Sequence, residues 1–178
     1  MAAEVASLPA LHPTGYPDAF VAGRVAWLAL FIAGEPVAKG RVRARVVAPK
    51  GRPPFASFYT PQETRDWEDY VAKEALVQVR AIDLPEGQEL YLPLSSRLAV
   101  ELRFNMQRPV STPKRVEYQT KKPDLDNLAK SALDGLVKGR IITDDNCITD
   151  LSLCKRFADD RHPVGVEVNI TAWLDAKV

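Results

Sequence analysis

The sequence contains little cysteine and little histidine, with two residues of each in 178. Cys147 and Cys154 are too few for a disulfide framework or a zinc site, and both fall in one predicted strand, where we interpret them as packing residues. His12 lies in a predicted arm and His162 in a predicted turn. This placement argues against a histidine-based nuclease and against a Ser-His-Asp hydrolase.

A long apolar run is also lacking. Apolar residues make up 46% of the chain but are spread over short segments, and none approaches the roughly 20 consecutive residues that a membrane-spanning helix needs. Residues 1–20 lack the charged start and continuous apolar core of a secretory signal. We therefore expect a cytoplasmic protein with no membrane partner.

Acidic residues are missing from one basic segment, although the net charge of the whole chain is only +1. The segment KGRVRARVVAPKGR, residues 39–52, carries six basic residues and no acidic one. Alternate residues of an extended segment project to the same side, which predicts a row of phosphate contacts to DNA. The predicted DNA-binding residues are Lys39, Arg41, Arg43 and Arg45. From charge alone, a solvated hairpin that binds nothing is equally compatible.

The order of predicted elements indicates one domain. Residues 1–24 are rich in Ala, Pro and Gly without periodicity and are predicted to form a loosely ordered arm, and residues 25–178 form a single domain. Apolar patterning predicts strands at residues 27–34, 97–107, 147–157 and 165–174, with helices beginning near residues 61 and 126. The expected fold class is α+β, a mixed sheet with two main helices packed on one face.

The first helix has a clear predicted start. Thr60 is in the position of an N-cap, Pro61 is at the first helical position and Glu63 follows three residues after the cap. This spacing is typical of a capping box.

Two aspartates stand at the start of the second helix. Asp124 and Asp126 flank Leu125 after Pro123, and residues two apart on an extended chain project to the same side. Two converging carboxylates at the positive end of a helix favour a magnesium or manganese site. The alternative is structural: Asp126 caps the helix, and Lys130, one turn later, pairs with Asp126 or Asp134.

A second acidic pair follows the second helix. A short Ile-Ile segment leads from the helix to Asp144 and Asp145 and can return the chain toward the helix start, which makes a third carboxylate available. Three carboxylates and Lys130, without a usable histidine, fit metal-assisted hydrolysis of a phosphodiester.

These residues resemble the RusA family of Holliday-junction resolvases, small endonucleases of bacteria and their phages. The resemblance is carried by KPDLDNLAKSALDGL, by ITDDNCI and by a following strand that contains Lys155. In the N-terminal half, FIAGEPVAKGRVRAR and FYTPQETRDWEDYV resemble the opening strand, basic segment and first helix of the family. Val42 stands where many members have proline, and the first two dozen residues extend beyond the common core.

The resemblance implies a RusA-like homodimer in a bacterial host cell that binds four-way DNA junctions and nicks two opposed strands symmetrically, with other branched DNA as further candidate substrates. It implies Mg²⁺ as the cofactor, with Mn²⁺ able to substitute. The family's essential aspartates fall on Asp124, Asp126 and Asp145, which are expected to hold the metal, and its catalytic lysine falls on Lys130.

Two other readings of the residues differ in function class. A phosphatase or nucleotide-sugar transferase usually places Asp-x-Asp directly after a buried apolar strand, whereas residues 117–123 are polar here. A non-catalytic junction-binding module that retains the fold is the second, and the presence of all three aspartates and Lys130 argues against it. A magnesium-dependent cleavage assay separates such a module from a nuclease.

Overall fold

The computed structural model describes residues 18–22, 25–84 and 86–173. Its elements in chain order are β1 (Asp18–Ala22), β2 (Val25–Ala33), β3 (Arg43–Val47), β4 (Phe55–Tyr59), α1 (Gln62–Ala81), β5 (Arg97–Met106), α2 (Leu125–Lys138), a 3₁₀ turn (Asp145–Cys147), β6 (Ile148–Phe157) and β7 (Gly165–Trp173). Neither helix of this described part has the length and apolar character needed to cross a membrane.

The main sheet has five strands in the order β1-β2-β7-β5-β6. Strands β5 and β6 are parallel and are joined through α2, whereas the other neighbours are antiparallel. Strands β3 and β4 pair only with each other as an antiparallel two-stranded sheet, here called the ribbon. The mixed sheet with two main helices confirms the predicted α+β class.

The core lies between the main sheet and the two helices. Alternate residues of the central strands lie in register on one face, as in the row formed by Leu28, Ile170 and Val100, and all three are buried. Trp67 of α1 and Leu128 of α2 belong to the same buried cluster. Period-two alternation therefore places the helix-facing side chains of the sheet together, and their burial drives the packing of the helices.

The two helices approach each other closely at glycine. A Cβ atom added to Gly135 of α2 would lie 2.6 Å from the Cβ of Val71 in α1. A Cβ on Gly139, just past the end of α2, would lie 2.8 Å from the carbonyl oxygen of Ala72. Small residues at these two positions allow the helix backbones to come together.

A charged network lies on the opposite side of the sheet. Arg156 of β6 donates to Asn105 Oδ1 and to Glu167 Oε1, both at 2.8 Å, and Asn105 Nδ2 donates to the same glutamate oxygen at 2.9 Å. The side chains of Arg156 and Glu167 are largely buried. Because each charge is paired and hydrogen-bonded, the network is tolerated in a region of low solvent access.

The predicted capping box of α1 is wrong. The helix begins at Gln62 with Pro61 as its N-cap and has no side-chain capping bond. Thr64 instead holds the chain that follows β2: its Oγ1 accepts from Gly40 N at 3.0 Å and donates to Ala38 O at 3.4 Å. The N-terminal end of α1 thus anchors the segment that leads into the ribbon.

Two other boundaries differ from the sequence predictions. Residues 18–22, assigned to the loosely ordered arm, form β1 and pair with β2. Cys147 lies in the 3₁₀ turn, and only Cys154 is in β6. The remaining residues of the predicted arm, 1–17 and 23–24, lie outside the described residues.

Candidate active site

Asp124 and Asp126 lie at the N-terminal end of α2. Asp124 is the N-cap, with extended φ and ψ of −73° and 141°, and Asp126 lies in the first helical turn. The prediction that Asp126 is the N-cap is therefore wrong, because the N-cap lies two residues earlier, at Asp124. The argument that both carboxylates project together from an extended chain also fails. Both side chains are exposed, and the helix dipole favours negative charge there.

Lys130 lies one turn after Asp126 and is also exposed. Within the described ranges, neither Asp124, Asp126 nor Lys130 has a side-chain hydrogen bond or ion pair. Asp134, the other aspartate that Lys130 was able to reach, bonds to Lys39 instead. The structure therefore does not show the structural alternative, in which Lys130 forms an ion pair with an aspartate of its own helix.

The later acidic pair is divided by its local structure. Asp144 caps the 3₁₀ turn, and its carboxylate accepts from Asn146 N at 2.9 Å. Asp145 is the first residue of the turn and is exposed, without a side-chain partner in the described part of the chain. The turn contacts α2. Asp145 is thus the member of the pair whose carboxylate is available for another ligand.

The carboxylates do not form a ready-made metal centre. In the described residues, no three Asp, Glu, His or Cys side chains lie together closely enough to hold a metal ion. The donors are nevertheless of the type that fits a hard cation, since all are carboxylate oxygens. Because Asp124, Asp126 and Asp145 are exposed and unpaired, their side chains are free to reorient toward a cation.

Lys155 anchors the chain that leads to Asp124. From the edge strand β6, its Nζ donates to the carbonyl oxygens of Lys121 at 2.7 Å and Pro123 at 2.5 Å. The same edge holds the preceding residues, because Phe157 N donates to Glu117 O at 2.8 Å. The position of Asp124 therefore depends on a lysine of another element.

Reasoning from the sequence missed this role of Lys155, which entered only as part of a family resemblance. Its acceptors are backbone carbonyls, and Pro123 lies 32 residues earlier. A backbone carbonyl is present at every residue, so no residue type or spacing marks the partner. Only the pairing of β6 with the preceding loop reveals it.

Lys39 lies in an ion-pair network between the helices. Its Nζ is 2.5 Å from Glu68 Oε1 in α1 and 2.5 Å from Asp134 Oδ2 in α2. Its backbone N donates to Asn127 O at 2.8 Å. Partial burial by itself lowers the pKa of Lys39, but the hydrogen bonds and charges of Asp134 and Glu68 outweigh this effect and raise the pKa. Contact of Lys39 with DNA stays a prediction, and the structure shows a different set of partners.

The three predicted DNA-binding arginines are exposed. Arg43 and Arg45 lie on one face of the ribbon, opposite Tyr59 and Ser57 of β4. The guanidinium carbon of Arg45 is 5.8 Å from the centroid of the Tyr59 ring, a distance at which a cation and an aromatic face attract each other. Arg41 lies in the segment leading into the ribbon.

The α+β fold presents exposed carboxylates at the start of α2, and the segment leading into the basic ribbon bonds to the same helix through Lys39 N and Asn127 O. These are features of an enzyme that acts on nucleic-acid phosphates. The sequence matches the family model described as endodeoxyribonuclease RusA over residues 33–171. Because this match covers more than half of the chain, the protein belongs to the RusA endodeoxyribonuclease family. This membership supports nuclease activity and DNA binding. A comparison with curated proteins found no match.

Proposed function

We propose that the protein is a structure-selective endonuclease that resolves four-way DNA junctions by paired, symmetric nicks. Family membership over residues 33–171 supports the endonuclease class. The observation that carries the proposal is the exposed, unpaired set of Asp124, Asp126 and Lys130 at the start of α2. Charged groups that the fold does not use for its own stability are available for a substrate.

Mg²⁺ is the proposed cofactor, and Mn²⁺ is expected to substitute because both ions take oxygen ligands. Asp124, Asp126 and Asp145 would hold it. When bound, the ion would activate water for attack on phosphorus and neutralise charge on the phosphate. Magnesium is usually held by one or two carboxylates together with substrate phosphate oxygens. This preference fits a site whose protein ligands are not already assembled, and DNA would then complete the coordination.

The chain's own residues have distinct proposed roles. The three aspartates bind and orient the cation, and the bonds from Lys155 to Lys121 and Pro123 fix the backbone that presents Asp124. Lys130 presents an ammonium group from the same helix end. Its charge would stabilise the negative charge that develops on the phosphate during cleavage. Electrostatic stabilisation of this kind is usually the largest single contribution to catalysis.

A homodimer is proposed because two opposed strands must be cut symmetrically. A two-fold dimer repeats one active site on each side of a junction, which matches the symmetry of the substrate. Light scattering of the free protein and of its junction complex measures this directly. A monomer in both samples would contradict the proposal.

The second candidate function is a junction-binding protein without catalysis. The observation that favours it is that no three-carboxylate metal group is assembled in the described residues. It predicts tight junction binding with no magnesium-dependent cutting.

Single-turnover cleavage of a synthetic four-way junction tests the proposal, with linear duplex of the same sequence as the substrate control. We expect cleavage of the junction with Mg²⁺ and none with a chelator. Asp124→Asn, Asp126→Asn, Asp145→Asn and Lys130→Ala should each lower the cleavage rate by orders of magnitude. Junction affinity should persist in the aspartate variants, because removing negative charge does not weaken attraction to phosphate.

Asp144→Asn is the matched control for Asp145→Asn. Its carboxylate already accepts a backbone hydrogen bond, which an Asn side-chain oxygen can also accept. We expect it to cut much faster than the Asp145 variant. Near wild-type cutting by Asp124→Asn or Asp126→Asn would contradict the metal site, and wild-type protein that binds but never cuts would favour the non-catalytic function.

A further inference from the structure

The two faces of the ribbon differ in chemistry. Opposed residues of an antiparallel pair lie on the same face. One face carries Arg43, Arg45 and Val47 of β3 opposite Tyr59, Ser57 and Phe55 of β4, so it combines two arginines with apolar and aromatic side chains. The other, here called the apolar ribbon face, consists of two cross-strand pairs, Ala44 with Phe58 and Val46 with Ala56.

The apolar ribbon face is exposed. Phe58 keeps 70% and Val46 keeps 76% of their accessible surface, and Ala44 and Ala56 are also exposed. The ribbon does not join the main sheet. An isolated two-stranded sheet is at best marginally stable and gains from covering its apolar face. The described part of the chain does not supply that cover, so the face is suited to a partner.

The charge around the ribbon identifies the kind of partner. Residues 39–52 contain six basic residues and no acidic residue. A second ribbon packed on the first would bring two such segments together, and like charges would repel. A polyanion would instead be attracted to the basic segment of each ribbon. Among polyanions, DNA also offers flat apolar surfaces wherever its bases are unstacked, and aromatic side chains bind such surfaces.

We propose that the apolar ribbon face packs against nucleobases exposed at the branch point of the DNA, with Phe58 stacking on a base and Val46 contacting its neighbour. Arg43 and Arg45 on the opposite face would hold backbone phosphates. The inference rests on the proposed function for its substrate but not on the cutting chemistry. In linear duplex the base faces are covered by their neighbours, so the apolar ribbon face would contribute to branched DNA alone and thereby select it.

The test compares junction and duplex affinity in chelator, where no cutting occurs, for wild type, Phe58→Ala and Phe58→Trp. Phe58→Ala should weaken junction binding by about tenfold, in keeping with the loss of one stacked base, and leave duplex binding and its salt dependence unchanged. Phe58→Trp keeps an aromatic face and should bind the junction like wild type. Val77→Ala, at an exposed apolar position of α1, is the matched control and should change neither affinity.

Two further measurements sharpen the comparison. A 2-aminopurine base at the branch should change fluorescence on binding wild type but much less on binding Phe58→Ala. Arg43→Ala should weaken junction and duplex binding alike and reduce the log-log salt slope by about one unit, as expected for one lost phosphate contact. The Arg43 and Phe58 variants thus measure phosphate contacts and base contacts separately, since the two residues lie on opposite faces of the ribbon.

Unchanged junction affinity of Phe58→Ala, an equal loss on junction and duplex, or a wild type without preference for the junction would overturn the inference. A smaller oligomer of Phe58→Ala by light scattering would also overturn it, because the face would then be a protein interface. A wild type that never cuts, combined with a selective junction loss in Phe58→Ala, would overturn the proposed cleavage and leave this inference standing.

Discussion

Replacement of Lys39 by methionine tests how the segment before the ribbon is held. Lys39 joins Glu68 of α1 to Asp134 of α2, each at 2.5 Å. Methionine retains most of the side-chain length but removes the charge and all three N–H donors. The two carboxylates would then lie close together without their shared cation.

The expected loss of stability follows from the exposure of the three side chains. Glu68 keeps only 11% of its side-chain surface, while Lys39 keeps 27% and Asp134 keeps 39%. Removing one partner of a buried pair costs about 3–5 kcal/mol, whereas an exposed pair is worth about 0–1 kcal/mol. A network of intermediate exposure should lose about 2 kcal/mol. In a domain of this size that loss lowers Tm by roughly 4–8 °C.

The pH dependence has a definite sign. Because the folded-state pKa of Lys39 is raised above 10.5, its contribution is fully present below that ordinary pKa. It is lost only as the pH rises through the raised folded-state value. Titration of Lys39 should therefore leave the stability difference between wild type and Lys39→Met constant from neutral to mildly alkaline pH, and the difference should shrink in strong alkali.

Thermal unfolding and the salt dependence of DNA binding together decide the role of this lysine. Arg41→Met, an exposed basic residue two positions away, is the control and should change Tm little. If Lys39 acts through its carboxylate partners, Lys39→Met lowers Tm and keeps the log-log salt slope. An unchanged Tm with a slope reduced by about one unit would refute this reasoning and favour the direct phosphate contact predicted from the sequence.

Substitutions at three other positions give separate tests of the packing and of the site. Gly135→Ala should lower Tm despite alanine's better helix propensity, since its Cβ would lie 2.6 Å from that of Val71; overpacking costs about 1–3 kcal/mol, and Tm measures it. Lys155→Met should lower the single-turnover cleavage rate more than junction affinity, and Lys155→Arg should restore part of that rate; equal losses of rate and affinity would contradict a positioning role. Arg156→Met should destabilise the fold by about 3 kcal/mol, measured by denaturant unfolding, because it leaves the buried Glu167 without its cation; a loss below 1 kcal/mol would show that Asn105 suffices.

The predictable parts of the fold are the helices and strands in which the spacing of apolar residues indicates the buried face. Strands β2, β5 and β7 and both helices show apolar periodicity, and their predicted bounds lie within a few residues of the observed ones. Strand β1 was missed because it has no such pattern and is defined by its pairing with β2. The capping box failed because Thr64 bonds to the segment after β2, a contact between elements that local spacing does not encode.

The candidate site was predictable in part for a similar reason. Asp124, Asp126 and Lys130 were predicted from residue type and spacing at the start of a helix, whereas Asp145 was chosen over Asp144 by the family resemblance. Their roles stay predictions. What the sequence leaves undetermined is the geometry that depends on long-range contacts. Lys155 bonds to backbone carbonyls, and Lys39 pairs with carboxylates on two separate helices. The partners of Lys155 and of Lys39 cannot be identified from their spacing along the sequence.

The separation of the ribbon from the main sheet bears on how this protein can evolve. Among the described residues, the buried core contains none from positions 43–59. Substitutions in the ribbon therefore escape the packing constraints that limit changes in β5 or α2. A recognition element can diversify while the scaffold and the acidic helix end remain as they are, and ribbons exchanged between relatives should fold on the same body.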